Sequence, residues 1–194
     1  MVNAEVEMEF SNQQKLIVAL LTEIHARLNI EDGLDPEFIQ RTVNGGQGWA
    51  LTWKYPGLFE EAEEDPQTVK FVADVLEMWS ALETSFNALD ETGRESLQSV
   101  AGPFGTRVEF PGFDGNNETE HLSIARIFVE DLDRWSEFQG RIRNAHMRTV
   151  DGYERMLEVF EEIRTEKMNN GDYGALDAEE LGRILTERTH PSYR

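Results

Sequence analysis

Between Arg107 and Trp135, a glycine-punctuated aromatic turn (Val108-Glu109-Phe110-Pro111-Gly112-Phe113-Asp114-Gly115) runs directly into an amphipathic segment. No other stretch restricts the fold as strongly. Pro111 fixes φ and Gly112 tolerates the positive φ that comes next, so the pair suits a type II turn. That turn is expected to fold two aromatic rings, Phe110 and Phe113, onto a core.

Most of the remaining chain carries helix signals. Ser11 and Gln14 have the spacing of a capping box, and Leu16, Ile17, Leu20, Leu21, Ile24 and Leu28 form the apolar face of a helix ending near Asn29. Asp35-Pro36 supplies an N-cap followed by proline at the first helical position, and Asn44-Gly45-Gly46 supplies a stop, so a short helix is expected over 36–43. One or two further turns are expected over 49–55, closed by Pro56-Gly57. The Asp-Pro signal recurs at Asp65-Pro66. It opens the longest expected helix, with Val69, Val72, Ala73, Leu76, Trp79, Leu82 and Phe86 at helical spacing as far as Leu89.

After the aromatic turn, Asn117 begins a helix with Leu122, Ala125, Val129, Leu132 and Trp135 on one side. Thr149 opens another through Tyr153, Met156, Leu157, Phe160 and Ile163. Leu176 to Leu181 combines a capping box, Asp177 with Glu180, and a hydrophobic staple, Leu176 on Leu181. The implied fold class is mainly α: a single domain over 1–194 of about six to eight helices with little or no β structure. The polar tail 188–194 reads as loose.

Composition sets the partner classes. The formal net charge is −20, with 6 basic against 19 acidic residues in 1–100 and 12 against 19 in 101–194. A field of this sign repels nucleic-acid phosphates and anionic lipid, so direct nucleic-acid binding and membrane association are not expected. No run approaches the ~18 apolar residues of a membrane span, and residues 1–9 lack the basic and apolar regions of a signal peptide. The chain has no cysteine. That removes disulfides and thiolate chemistry and suits a reducing compartment; the expected location is cytoplasmic.

Four blocks in order, Met8 to Ile17, Val75 to Leu82, Val108 to Asp114 and Tyr153 to Leu157, resemble the YfbU family of small bacterial proteins. The likeness covers nearly the whole chain. Against that pattern the segment 91–104 reads as an insertion. The resemblance implies a mostly helical cytoplasmic protein that tends to self-associate, and it supplies no catalytic residues.

Candidate chemistry is sparse. Two Glu-x-x-His pairs, Glu118/His121 and Glu187/His190, have the spacing of di-iron ligands on a helix. The first sits in an opening turn and the second runs into Pro191, whereas such ligands lie mid-helix, so no metal or other cofactor is expected. Laid on a calcium loop, 169–180 places Gly171 and Tyr173 where oxygen ligands belong. Arg134, Arg141, Arg143, His146 and Arg148 gather within 15 residues of an acidic chain. They suit a surface that meets the acidic amino-terminal half, within the subunit or in a neighbour, or, less readily, a phosphorylated ligand with His146 as a proton carrier. Trp49, Trp53, Tyr55 and Phe59 suit an interface or a core. The acidic run Glu60, Glu61, Glu63, Glu64 suits a helix start or, less readily, mimicry of DNA.

Nucleophile-elbow, P-loop and dinucleotide-binding signatures are all missing, so the sequence leans away from an enzyme. What remains is a self-associating homo-oligomer that binds a protein partner.

Overall fold

The computed structural model describes residues 8–31, 33–58 and 65–193. Phe59 and the acidic run Glu60 to Glu64 lie outside the described residues. Among those described there are eight α-helices and no strand, as the periodicities implied. The chain divides into two compact units, Met1–Lys70 and Phe71–Arg194.

In the first unit, α1 (Asn12–Leu28) starts where its capping box places it: Gln14 N–H donates to Ser11 Oγ at 3.3 Å, and Ser11 N–H donates to Gln14 Oε1 at 2.8 Å. It stops at Asn29, which takes the left-handed conformation at φ 49°. Helix α2 (Pro36–Asn44) is capped by Asp35, which accepts from Phe38 N–H at 3.0 Å. Next comes α3 (Trp49–Lys54). Phe38 anchors this unit. Its ring is buried, meets Tyr55 edge-on at 6.3 Å and lies beneath Lys54 Nζ at 4.2 Å.

One helix departs from the ordinary arrangement. Helix α1 packs along α2, yet its only buried residue is Thr22. Leu16, Ile17, Leu20, Leu21, Ile24 and Leu28, the apolar face that such a helix ordinarily turns to a core, are between 53% and 66% exposed. Periodicity identifies an oily face correctly, but the neighbour that covers it is a tertiary matter. Here α2 takes the side of Val18, Ala19 and Thr22, where Thr22 Oγ1 donates to Gln40 Oε1 of α2 at 3.5 Å.

The second unit is built around α4 (Gln67–Ala88), whose Val72, Val75, Leu76, Met78, Trp79 and Leu82 are fully buried. Helix α5 (Glu91–Ala101) occupies most of the 91–104 segment and lies against α8 (Ala178–Thr186). The approach is close enough that a Cβ on Gly182 would meet Val100 Cγ1 at 2.6 Å. The start of α8 shows both halves of its expected capping box, and Leu176 and Leu181 are buried beside it.

Helix α6 (Thr119–Arg126) ends earlier than its periodicity suggested. It widens into a π-turn over Ile127–Asp131, with Leu132 N–H donating to Ile127 O at 3.0 Å, and the chain then turns through positive φ at Asp133 and Trp135. A π-turn adds a residue to the repeat and shifts the register of every residue after it. Trp135 therefore leaves the helix. It packs edge-on to Phe128 at 5.4 Å and donates from Nε1 to Glu77 at 3.1 Å. The long α7 (Val150–Asn169) comes next, burying Tyr153, Met156, Phe160 and Ile163.

Candidate functional site

The aromatic turn is where distant parts of the second unit meet. Phe110 and Phe113 are buried, as expected, and contact each other at 5.8 Å. Phe110 also meets Trp79 and Phe138, and Tyr153 meets both turn rings. Gly112 has φ 88°, and a Cβ there would stand 2.0 Å from Arg143 O, so glycine is required twice over. The close pass brings the segment 143–145 alongside the turn, where Ala145 N–H donates to Phe113 O at 2.9 Å. Tyr153 seals the turn by donating its hydroxyl to Gly112 O at 2.8 Å. Burial pushes its phenol pKa far up, so it remains a donor.

Beneath the turn, Glu118 is a buried carboxylate with four donors. Asp114 N–H and Thr149 Oγ1 reach Oε2 at 2.9 and 2.8 Å, and Thr149 and Val150 N–H reach Oε1 at 2.7 and 2.9 Å. Burial acts to raise its pKa, but the bonds from Val150, Asp114 and Thr149 outweigh it and hold Glu118 below the ordinary carboxylate range. Neighbouring Asp114 is lowered too, by its bonds from Asn117 and from Asn116 N–H. With its oxygens so occupied, Glu118 is a clasp between the turn and the start of α7. Its sequence partner His121 lies against Phe71 and Phe113, with Nδ1 buried and unbonded. His190 Nδ1 accepts from Ser192 N–H at 3.2 Å, and Glu187 accepts from Arg155 Nε at 3.1 Å through its backbone carbonyl. Among the described residues no cluster of metal-ligating side chains forms.

The arginine island is divided among different partners: Arg141 and Arg143 both act on Glu109, while His146 and Arg148 both act on Asp114. Arg141 Nη2 pairs with Glu83 at 2.7 Å and lies over Phe138, where it has a structural role. Arg134, His146 and Arg148 are exposed, and His146 takes φ 55°. Arg143 lines a cleft. That cleft, of about 320 Å³, lies beside the turn and is lined by Arg107, Glu109, Phe110, Pro111, Arg143, Asn144, Ala145 and Arg188. Arg107 pairs with Glu109 at 2.6 Å, and this contact, with Arg141 and Arg143 nearby, keeps Glu109 below its ordinary pKa.

Arg188 is the residue that sequence reasoning missed. It is the first residue of the polar tail, but it is half-buried, over the rings of Phe104 at 4.4 Å and Trp79 at 5.6 Å. Burial lowers its pKa. Nothing local in the tail signals this placement.

A larger hollow of about 610 Å³ opens between α4 and α7, but several of its polar groups are already engaged: Lys167 with Asp172 and Glu180, and Ser85 with Leu176 N–H. In the first unit, Trp49 is buried, Trp53 donates to the Asp65 carboxylate at 3.1 Å, and the Tyr55 hydroxyl accepts from Asp35 N–H at 2.9 Å. The exposed large apolar side chains of that unit include six on α1, together with Ile30, Leu34 and Leu58. No described helix is long and apolar enough to cross a membrane. The model of one protein family, the YfbU domain, matches residues 8–187.

Proposed function

Because the chain belongs to the YfbU family, whose matched region takes in the whole of α1, we propose that it is a non-enzymatic, self-associating protein in which α1 of one copy meets α1 of another. The observation that carries this reading is the run of six leucine and isoleucine residues left exposed along one face of α1. Side chains of this size, more than half exposed, leave on the order of 600 Å² of apolar surface per copy. That is the upper end of what a monomer leaves bare and close to the ~800 Å² per partner of a stable interface.

Charge supports a second copy as the occupant. Helix α1 carries Lys15 and Arg27 against Glu23, while the chain as a whole is at −20. Two copies repel over most of their surface, and the near-neutral α1 face is where they can approach. A two-fold pairing also lets one stripe cover its own image. The protein works in the cytoplasm on this reading, and the acidic exterior left by assembly suits a basic protein partner and disfavours nucleic acid.

Sedimentation equilibrium tests the reading. Wild type is expected at about twice the 22.3 kDa of one chain, and Leu20→Glu with Ile24→Glu is expected to give a folded monomer. Both positions are exposed in the single chain, so their replacement leaves its core untouched. A wild-type monomer, or a double variant that still dimerises, overturns the proposal.

A further inference from the structure

We propose that the cleft beside the aromatic turn is a binding site for a small phosphate monoester, held by Arg107, Arg143 and Arg188. Three segments far apart in sequence converge there: the extended lead-in to the turn, the segment pressed against Gly112, and the end of α8. Convergence of cations in an otherwise acidic protein requires an explanation. With Glu109 counted, three guanidinium groups and one carboxylate leave the cleft at a formal +2 in a chain of −20. A doubly charged oxyanion matches that excess.

Arg188 anchors the site. Its guanidinium faces are engaged by Phe104 and Trp79, and no carboxylate among the described residues lies within ion-pair distance of it or of Arg143. Removing a cation from water costs free energy unless an anion or hydrogen bonds offset it. Stacking on rings uses the flat faces of the guanidinium and leaves its edge N–H groups, which suit paired bonds to phosphate oxygens. Arg143 is exposed at the cleft wall, where its side chain can close on the same ligand, while the Arg107–Glu109 pair orients the third cation.

Size sets the ligand class. At about 320 Å³ the cleft is at the small end of ligand sites, enough for a phosphate and a short organic portion against Pro111 and Ala145. The acidic exterior repels polymers of phosphate, nucleic acid or membrane alike. This site is independent of the α1 surface, and failure of either leaves the other standing.

The test is calorimetric titration of the full-length chain with inorganic phosphate, at ionic strength held constant with sodium chloride. Saturable binding is expected, weakened about tenfold or more by Arg143→Ala and left unchanged by Arg134→Ala, which lies outside the cleft. Arg143→Ala alters an exposed side chain, and its melting temperature without phosphate should match wild type, which separates lost binding from lost folding. Absence of saturable binding overturns the proposal, as does equal binding by wild type and Arg143→Ala, or equal weakening by both variants.

Discussion

Replacing Glu118 with glutamine tests how the aromatic turn is fastened to α7. The carboxylate is 7% exposed and its two oxygens accept four bonds, two on each. Glutamine preserves the shape but turns one of those oxygens into a donor. If the amide oxygen keeps Thr149 and Val150 N–H, the amide nitrogen then faces Asp114 N–H. Thr149 Oγ1 can rotate to accept, but a backbone N–H cannot. An unsatisfied buried donor costs about 1–3 kcal/mol, and loss of charge assistance weakens the bonds that remain, so a destabilisation of about 3 kcal/mol is expected. With a urea dependence of about 2 kcal/mol per molar, the midpoint should fall by about 1.5 M at unchanged slope.

The pH dependence comes from the same contacts. Because folding lowers the pKa of Glu118, its contribution is complete above the unfolded value of about 4.3 and is lost as pH falls through the folded value. The gap between wild type and Glu118→Gln should therefore be constant from about pH 5.5 to 7.5 and narrow below about 4.3. Urea titrations followed by circular dichroism at several pH values measure it. A variant within about 0.5 kcal/mol of wild type at neutral pH refutes the clasp, as does a gap that persists unchanged in acid.

Other substitutions exploit close approaches. Gly112→Ala places a methyl group 2.0 Å from Arg143 O at a φ of 88°, so it should cost more than about 2 kcal/mol and lower the melting temperature in calorimetry. Gly182→Ala should cost about 1–3 kcal/mol through its clash with Val100, and Val100→Ala should restore most of the loss, giving a favourable coupling in a double-mutant cycle.

What the sequence revealed and what it concealed differ in range. Ser11 with Gln14, Asp35-Pro36 and Asp177 with Glu180 could be read directly because a cap is completed within four residues. The Pro111-Gly112 turn was legible for the same reason, although Arg143, whose carbonyl makes Gly112 indispensable, lies 31 positions on. The end of α6 was hidden because its widening at Ile127 accompanies contacts of Trp135 with Glu77 and Phe128 that no local pattern encodes. The arginine island was a grouping along the chain whose members the fold sets against different partners. Of its members only Arg143 reaches the cleft, and the companions that complete it, Arg107 and Arg188, come from elsewhere. The apolar stripe of α1 was visible, but its exposure was not, since periodicity specifies a face and leaves its neighbour open.

The absence of cysteine from the chain makes it possible to ask by cross-linking whether α1 joins two copies. A single Leu20→Cys substitution introduces the sole thiol at the middle of the exposed stripe, and mild oxidation followed by non-reducing electrophoresis reports whether two such positions meet. A disulfide-linked dimer is expected as the main product, with Ser99→Cys on the exposed side of α5 remaining monomeric under the same conditions. A Leu20→Cys protein that stays monomeric, or one that cross-links no more than Ser99→Cys, would rule out pairing through α1.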